Sequence, residues 1–319
     1  MHIQRGAWAE INLDAIAHNV QMAKANLKPT TKLCAVVKAD AYGHGAVRVA
    51  QEAARNGADF FAVALLQEGV KLREAGIETP ILVLGSMLPE VAEICVRYDI
   101  SHAVFDEERL YALNAAALKL HTKAKIHIKI DTGMHRIGVH VRDAGRFAKL
   151  AASLPGIYIE GVFSHFATAD ADDKQYAAYQ FERFQEALRL IEAEGVHIPI
   201  RHIANSAALT ELQEYQLDMV RQGITLYGLH PAHMIDCYKD FEPVMTVKTQ
   251  VAFVKTLPPG ETIGYGRTYT LTRPSVIATV PIGYADGVSP ACLIAGICWL
   301  TAKRRRLSGA CAWTRRCWT

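Results

Sequence analysis

Between Lys32 and Gln222 short apolar runs alternate with stretches of helical spacing. The runs predict strands at 32–38 (KLCAVVK), 59–65 (DFFAVAL), 79–85 (TPILVLG), 100–106 (ISHAVFD), 124–131 (AKIHIKID), 157–165 (IYIEGVFSH), 198–205 (IPIRHIAN) and 217–222 (LDMVRQ). Segments such as AVRVAQEAARNGA, LPEVAEICVRYD and DDKQYAAYQFERFQEALRLIEAEG supply the covering helices. Asp14 is placed to cap a further helix, AIAHNVQMAKANL. Strand–helix alternation implies parallel βαβ units, and about eight of them in some 200 residues predict a closed (β/α)8 barrel. An open doubly wound sheet is the runner-up, but no GxGxxG follows the first strand.

After about Lys239 the period changes. PVMTVKTQVAFVKTL, ETIGYGRTYTLT and SVIATVPIGYADG are rich in β-branched residues and broken by Pro and Gly. They predict a C-terminal all-β domain that is incomplete for want of length. The expected division is a barrel over 1–238, a partial β-domain over 239–287 and an aberrant segment over 288–319.

That last segment also distorts the composition. It holds six Lys/Arg (Lys303, Arg304, Arg305, Arg306, Arg315 and Arg316), no Asp or Glu, four of seven cysteines and three of four tryptophans. Without it the formal charge falls from +3 to −3, so the basic balance belongs to the end of the chain and not to its body. KRRR alone, with no nucleic-acid-binding motif around it, does not make a nucleic-acid protein. The N-terminus carries charges where a signal peptide would be apolar, and ACLIAGICWLTA is too short to span a bilayer. A soluble cytoplasmic protein without a membrane partner is expected. The scattered cysteines include no CxxC pair, and no metal site is expected.

Barrel chemistry gathers at the C-terminal ends of the strands. Lys38 ends the first predicted strand, Arg136 follows the fifth, and His165 ends the sixth. Asn205 and Ser206 end the seventh, and Arg221 ends the eighth, followed by Gly223 and Ile224. A lysine at the end of a buried strand is costly unless it is paired or chemically used, and a lysine of depressed pKa attacks carbonyls. Ser206 and the Gly223–Ile224 backbone lie where such barrels bind phosphate, and Tyr42 adds a phenolic donor. Together these residue types suggest a phosphate-bearing aldehyde cofactor.

The segment CAVVKADAYGHG (34–45) resembles the pyridoxal-phosphate attachment segment of alanine racemases. The resemblance continues in order through DTGMHRIGV, GVFSHFATAD, RHIANSAAL, MVRQGITLYGL, GYGRTY and VPIGYADG, from about Trp8 to Gly287. It implies a barrel plus a β-domain, a homodimer, pyridoxal 5'-phosphate, and interconversion of L- and D-alanine for peptidoglycan. Lys38 would then carry the cofactor covalently and act as one base. Tyr42, Ser206, Gly223 and Ile224 would hold the phosphate. Arg221 would face the pyridine nitrogen, with His165 behind it and Asn205 beside the cofactor. Arg136 would lie near the cofactor's phenolic oxygen and the substrate carboxylate. Lys129 matches a lysine that is often carbamylated, with an ordinary ammonium–carboxylate pair as the alternative. Tyr265 would be the second base, reaching a partner subunit's site, and Tyr284 would stand at the channel mouth. Rival readings are a non-catalytic pyridoxal-phosphate-binding protein, a fold-related decarboxylase and an inactive racemase.

The resemblance to the family fades after Gly287. Read two nucleotides along, the codons of Lys303–Arg315 permit KAPIVGRVCMDQ, a segment of the family's type. A shift of reading frame near codon 288 is therefore expected. It would leave a poorly packed, aggregation-prone end and low turnover.

Overall fold

The computed structural model describes residues 6–231 and 239–288, and the backbone of 297–300, 303–308 and 316–318. The described chain falls into two units.

The larger unit, Asn12–Val244, contains eight parallel strands in chain order: Lys32–Val36, Phe60–Val63, Ile81–Val83, Ser101–Val104, Ala124–Asp131, Ile157–Phe163, Ile200–His202 and Met219–Gln222. The second to the seventh each pair with their predecessor, and the eighth returns to pair with the first. Only the seventh and eighth lack a regular ladder. There Asp218 N donates to Arg201 O (3.0 Å) and Arg221 N to Ala204 O (3.1 Å), so the ring is nearly closed. Inside it, Cys34, Val36, Phe60, Ala62, Leu82, Ile200 and Met219 pack into one apolar cluster, and the helices cover the outside. All eight strands fall where the apolar runs place them, although most are shorter.

Two details differ from expectation. The first helix, Leu13–Ala25, is capped by Asn12 and not by Asp14. The Asn12 side chain accepts from Asp14 N and Ala15 N, while Asp14 sits in the first turn, where its charge favours the helix dipole. Second, the strand Ala7–Ile11 belongs to the smaller unit and pairs antiparallel with Met245–Thr249. The residues before Asn12 therefore do not group with the barrel, unlike in a division at 1–238.

In the smaller unit Phe253–Leu257 pairs with Ser275–Val280, and Thr262–Ile263 with Tyr269–Thr270. Ile263, Leu271 and Ile277 form its small core, against Leu257 and Tyr269. The backbone of the segment beyond residue 288, expected to be aberrant, supplies three more strands: Ile297–Leu300, Lys303–Ser308 and Arg316–Trp318. Arg316–Trp318 pairs with Ser275–Val280 and with Lys303–Ser308, which also pairs with Ile297–Leu300. No described helix is long and apolar enough to cross a membrane. The described residues hold no group of three metal-ligating side chains.

Candidate active site

Ten of the twelve candidate residues line one cavity of about 590 Å³ within the barrel unit. They are Lys38, Tyr42, Lys129, Arg136, His165, Asn205, Ser206, Arg221, Gly223 and Ile224. That volume suits a cofactor-sized ligand.

Lys38 lies two residues beyond its strand, at the start of an unusual turn. Ala39, Asp40, Ala41 and Tyr42 all have positive φ, between 52° and 56°. For L-residues this left-handed conformation costs about 1–2 kcal/mol each. Several interactions oppose the cost. Glu68 Oε1 accepts from Ala39 N, and Glu68 Oε2 accepts from Ala64 N and Leu65 N. The Asp40 carboxylate accepts from Ala46 N and Lys71 Nζ. Gly43 (φ +85°) and Gly45 (φ +89°) then release the chain into the next helix. The turn places both Lys38 and Tyr42 on the cavity wall, with Lys38 Nζ 5.8 Å from the centre of the Tyr42 ring. Burial, reinforced by the charges of Arg136 and Arg221, lowers the Lys38 pKa despite the opposing field of Glu68.

Across the cavity Ser206 Oγ accepts from Gly223 N (2.7 Å), which leaves the hydroxyl proton free to donate. A Cβ at Gly223 would stand 3.4 Å from Ser206 Oγ and 3.6 Å from the Tyr42 hydroxyl. The glycine keeps open the space between two hydroxyl donors, as a phosphate requires. Asn205 Oδ1 is engaged as the cap of the Ser206–Glu211 helix, accepting from Ala208 N.

Arg221 is buried, and both terminal nitrogens are hydrogen-bonded. Nη1 donates to His202 Nδ1 (2.7 Å), and Nη2 contacts His165 Nδ1 (3.0 Å) and the carbonyls of Ser164 and Ile203. A guanidinium only donates, so His165 accepts through Nδ1 and carries its proton on Nε2. Burial and four surrounding cations hold His165 well below its usual pKa, so it is neutral. Lys129 is buried with its Nζ on Ile130 O (2.7 Å), and no described carboxylate lies within ion-pair distance. The expected alternative, an ammonium paired with a carboxylate, is therefore not formed among the described residues. Burial and the Arg221 charge push the Lys129 pKa down to about 7. With Arg136 and Lys38, the wall is strongly cationic and suits a ligand bearing phosphate and carboxylate groups.

The remaining two candidates belong to the smaller unit. Tyr265 opens the turn Tyr265–Arg267 between Gly264 (φ +80°) and Gly266 (φ +69°), and is 69% exposed. Tyr284 opens the turn Tyr284–Asp286 and is 44% exposed.

Glu68 and Asp40 were not among the candidates. Glu68 reaches its partner from 29 residues away, and only the glycines of YGHG hint that the backbone before them is strained. The chain from His202 through His127 to Glu160 was missed as well.

Residues 11–231 match the family model described as alanine racemase, N-terminal domain. Residues 244–312 match that of the alanine racemase C-terminal domain, which runs beyond Gly287, where the recognisable motifs end. The alanine racemase of Desulfovibrio desulfuricans is 47% identical over 283 residues, covering 89% of this chain and 76% of that protein. That of Halothermothrix orenii is 46% identical over 285 residues, covering 89% and 75%. Among solved structures, the alanine racemase of Bacillus anthracis with bound L-Ala-P superposes with a TM-score of 0.92 at 35% identity, covering 100% of this chain and 83% of that one.

Proposed function

The chain belongs to the alanine racemase family of isomerases, and we propose that it interconverts L- and D-alanine with pyridoxal 5'-phosphate held at Lys38. The observation that carries this reading is the convergence of a lysine of lowered pKa, two hydroxyls around a side-chain-free Gly223 and a buried guanidinium in one cavity. This set fits an aldehyde with a phosphate. Ser206, Tyr42 and the Gly223–Ile224 backbone would hold the phosphate, and Lys38 would bond the aldehyde carbon. The bound cofactor supplies an electron sink for the α-carbon when its proton leaves.

The residues of the chain do the rest. Lys38 Nζ, its pKa lowered by burial and neighbouring cations, would take or return a proton on one face of the α-carbon once the substrate amine has replaced it. Tyr265 serves the other face. Its exposure suits a group supplied to the site of a second copy of the chain, and the active unit is then a homodimer. Arg136, which has no hydrogen-bonding partner among the described residues, would take the substrate carboxylate. Tyr284 would stand at the mouth of the substrate channel. Arg221 cannot accept a proton, so it would keep the ring nitrogen it faces unprotonated and so limit the electron sink and side reactions such as transamination. Lys129, with a pKa of about 7, offers at neutral pH the free amine that adds carbon dioxide, losing a proton and becoming an anionic carbamate able to orient Arg136. The physiological setting is cytoplasmic supply of D-alanine for peptidoglycan.

The test has two parts. Purified chain given the cofactor should convert L-alanine to D-alanine. Borohydride reduction followed by peptide mapping should place the cofactor on Lys38. A label on another lysine overturns the assignment; binding without D-alanine favours the non-catalytic reading.

A second reading concerns the end of the chain. The family-like KAPIVGRVCMDQ permitted by the shifted frame supports a reading-frame change near codon 288, with turnover lowered by the altered β-domain. The coding DNA decides it: if no one- or two-nucleotide change there opens that frame, the reading fails. Full-rate racemisation by this exact chain refutes the lowered turnover.

A further inference from the structure

A buried polar chain runs from Arg221 away from the cavity. Arg221 Nη1 contacts His202 Nδ1, His202 Nε2 contacts His127 Nδ1 (2.9 Å), and His127 Nε2 contacts a Glu160 carboxylate oxygen (3.0 Å) that also accepts from Ser101. Both histidines are fully buried. The donor directions follow from the two ends. Arginine only donates, so His202 Nδ1 accepts and its proton sits on Nε2. That proton points at His127 Nδ1, which must accept, leaving the His127 proton on Nε2 facing the carboxylate. Every link is satisfied in one direction, and no other neutral arrangement satisfies all of them.

The fold makes specific room for this chain. The pairing of the fifth and sixth strands shifts register between Ile126 and His127, because Ile126 pairs with Ile159 but His127 with Gly161. Glu160 is the extra residue of that bulge, and bulges redirect side chains. A Cβ at Gly161 would fall 2.5 Å from His127 Nδ1, the very atom that accepts from His202. Phe163 stacks on the His202 ring at 4.9 Å and 6°, fixing its plane. Burial works against the Glu160 charge, but the bonds from His127 and Ser101 outweigh it and hold the group below the usual carboxylate range.

We propose that Glu160 and His127 are positioning residues which, through the tautomers they impose on His127 and His202, fix the orientation in which Arg221 meets its ligand. The inference rests on the role of Arg221 proposed above. A carboxylate at the far end of the chain demands a proton on His127 Nε2, and that demand passes link by link until His202 presents a bare Nδ1 to Arg221. Glu160 never touches the cavity and acts only through the chain.

The test reads the tautomers directly and does not depend on turnover. In the full chain labelled with 15N-histidine at pH 7.5, His202 and His127 should both show protonated Nε2 and unprotonated Nδ1, the signals being assigned by single replacements. A proton on Nδ1 of either ring, or a doubly protonated ring, overturns the proposal. Glu160→Leu removes the terminal acceptor. It should mix the tautomers of His127 and His202 and lower kcat about 10- to 100-fold, the usual effect of losing an orienting partner, with KM within about twofold. Glu160→Gln keeps an accepting oxygen and should restore the tautomers and kcat to within about threefold of the parent. Folded Glu160→Leu with unchanged tautomers and kcat also overturns it. Should Glu160→Leu fail to fold, the parent spectrum and Glu160→Gln still test the proposal: the stated tautomers in both support it, and a proton on Nδ1 in either overturns it. A chain that shows the stated tautomers but makes no D-alanine would sink the racemase reading and leave the proton order intact.

Discussion

The barrel unit and the smaller unit stand in contrast. In the barrel, ten candidate residues from five different strand ends turn inward onto one cavity, and Lys129, Ser206 and Arg221 among them are buried. In the smaller unit the two candidate tyrosines face outward, and so does much of the apolar surface. Val247, Phe253 and Val276 are each about 60% exposed, and among the described residues this unit holds eight of the seventeen exposed large hydrophobics although it is by far the smaller. A binding half can be complete within one fold, whereas a residue that must serve a site from outside has to remain exposed until it is delivered. Exposed apolar strands are the other expected mark of a surface made to be covered.

The sharpest way to break this contrast is to remove the lysine proposed to carry the cofactor. Lys38→Ala should lower kcat/KM by about 10⁴-fold, the upper end of what one positioned acid–base group supplies, and should abolish retention of the cofactor's visible absorbance through gel filtration. Retained absorbance would mean that binding does not depend on this lysine. The counterpart in the smaller unit should separate binding from turnover. Tyr265→Phe should keep the absorbance but lower racemisation by about 10²- to 10³-fold. Its loss of α-proton exchange, measured in deuterated water, should be far larger for one enantiomer of alanine than for the other. Equal losses from both enantiomers would rule out a base on each face.

How much of the fold and the site is legible in the sequence depends on the kind of information each feature needs. The eight barrel strands are legible because their burial on both faces writes continuous apolar runs such as FFAV and SHAV. Lys38, Arg136 and Arg221 stand out as charges at the ends of such runs. The left-handed turn at Ala39–Tyr42 is not legible, since the sign of φ leaves no periodic trace and its alanines are ordinary helix formers. Asn12 is hard to tell from Asp14 as the cap because both are capping residues two positions apart. The Glu160–His127 contact depends on a one-residue bulge, and strand alternation alone would turn Glu160 away. Ala7–Ile11 joins the smaller unit through a pairing with residues more than 230 positions later, which no local pattern encodes.

Lys129 sharpens the contrast from the side of stability. Its pKa in the fold is about 7 against 10.5 when free. Below pH 7 both states carry the proton and the full cost of a buried cation is felt. Above it the fold holds fewer protons than the unfolded chain, so stability rises with pH. Between pH 7 and 9 this one group should add about 2–3 kcal/mol to the unfolding free energy. Urea titrations at the two pH values should show the rise in the parent chain under carbon-dioxide-free buffer, and Lys129→Met should lack it. Equal slopes in both would show that the lysine is not carried as a buried, unpaired amine.

The smallest expected effect lies in the acid range, at a histidine that does not line the cavity. His102 is fully buried in the fourth barrel strand. Its Nδ1–H donates to the Ala103 carbonyl at 2.7 Å, and Nε2 has no hydrogen-bonding partner among the described residues. Protonation would place a second N–H, and a charge, where nothing accepts it. Burial accordingly drives the pKa down to about 4, against the opposing pull of the Ala103 carbonyl and with further help from the Arg109 charge. The unfolded chain takes up this proton near pH 6.5, while the fold resists it until about pH 4, so stability is lost as the pH falls through that window. From pH 6.5 to 5 the loss from this residue should be about 1–2 kcal/mol. His165 and His202 are lowered in the same sense, so the acid limb of the parent chain is a composite. His102→Leu isolates one share of it: the mutant should lose about 1–2 kcal/mol less than the parent over that interval, whatever its stability at neutral pH. Parallel acid limbs for the two proteins would mean that His102 is charged in the fold, and that the barrel interior is less dry at the fourth strand than its packing implies.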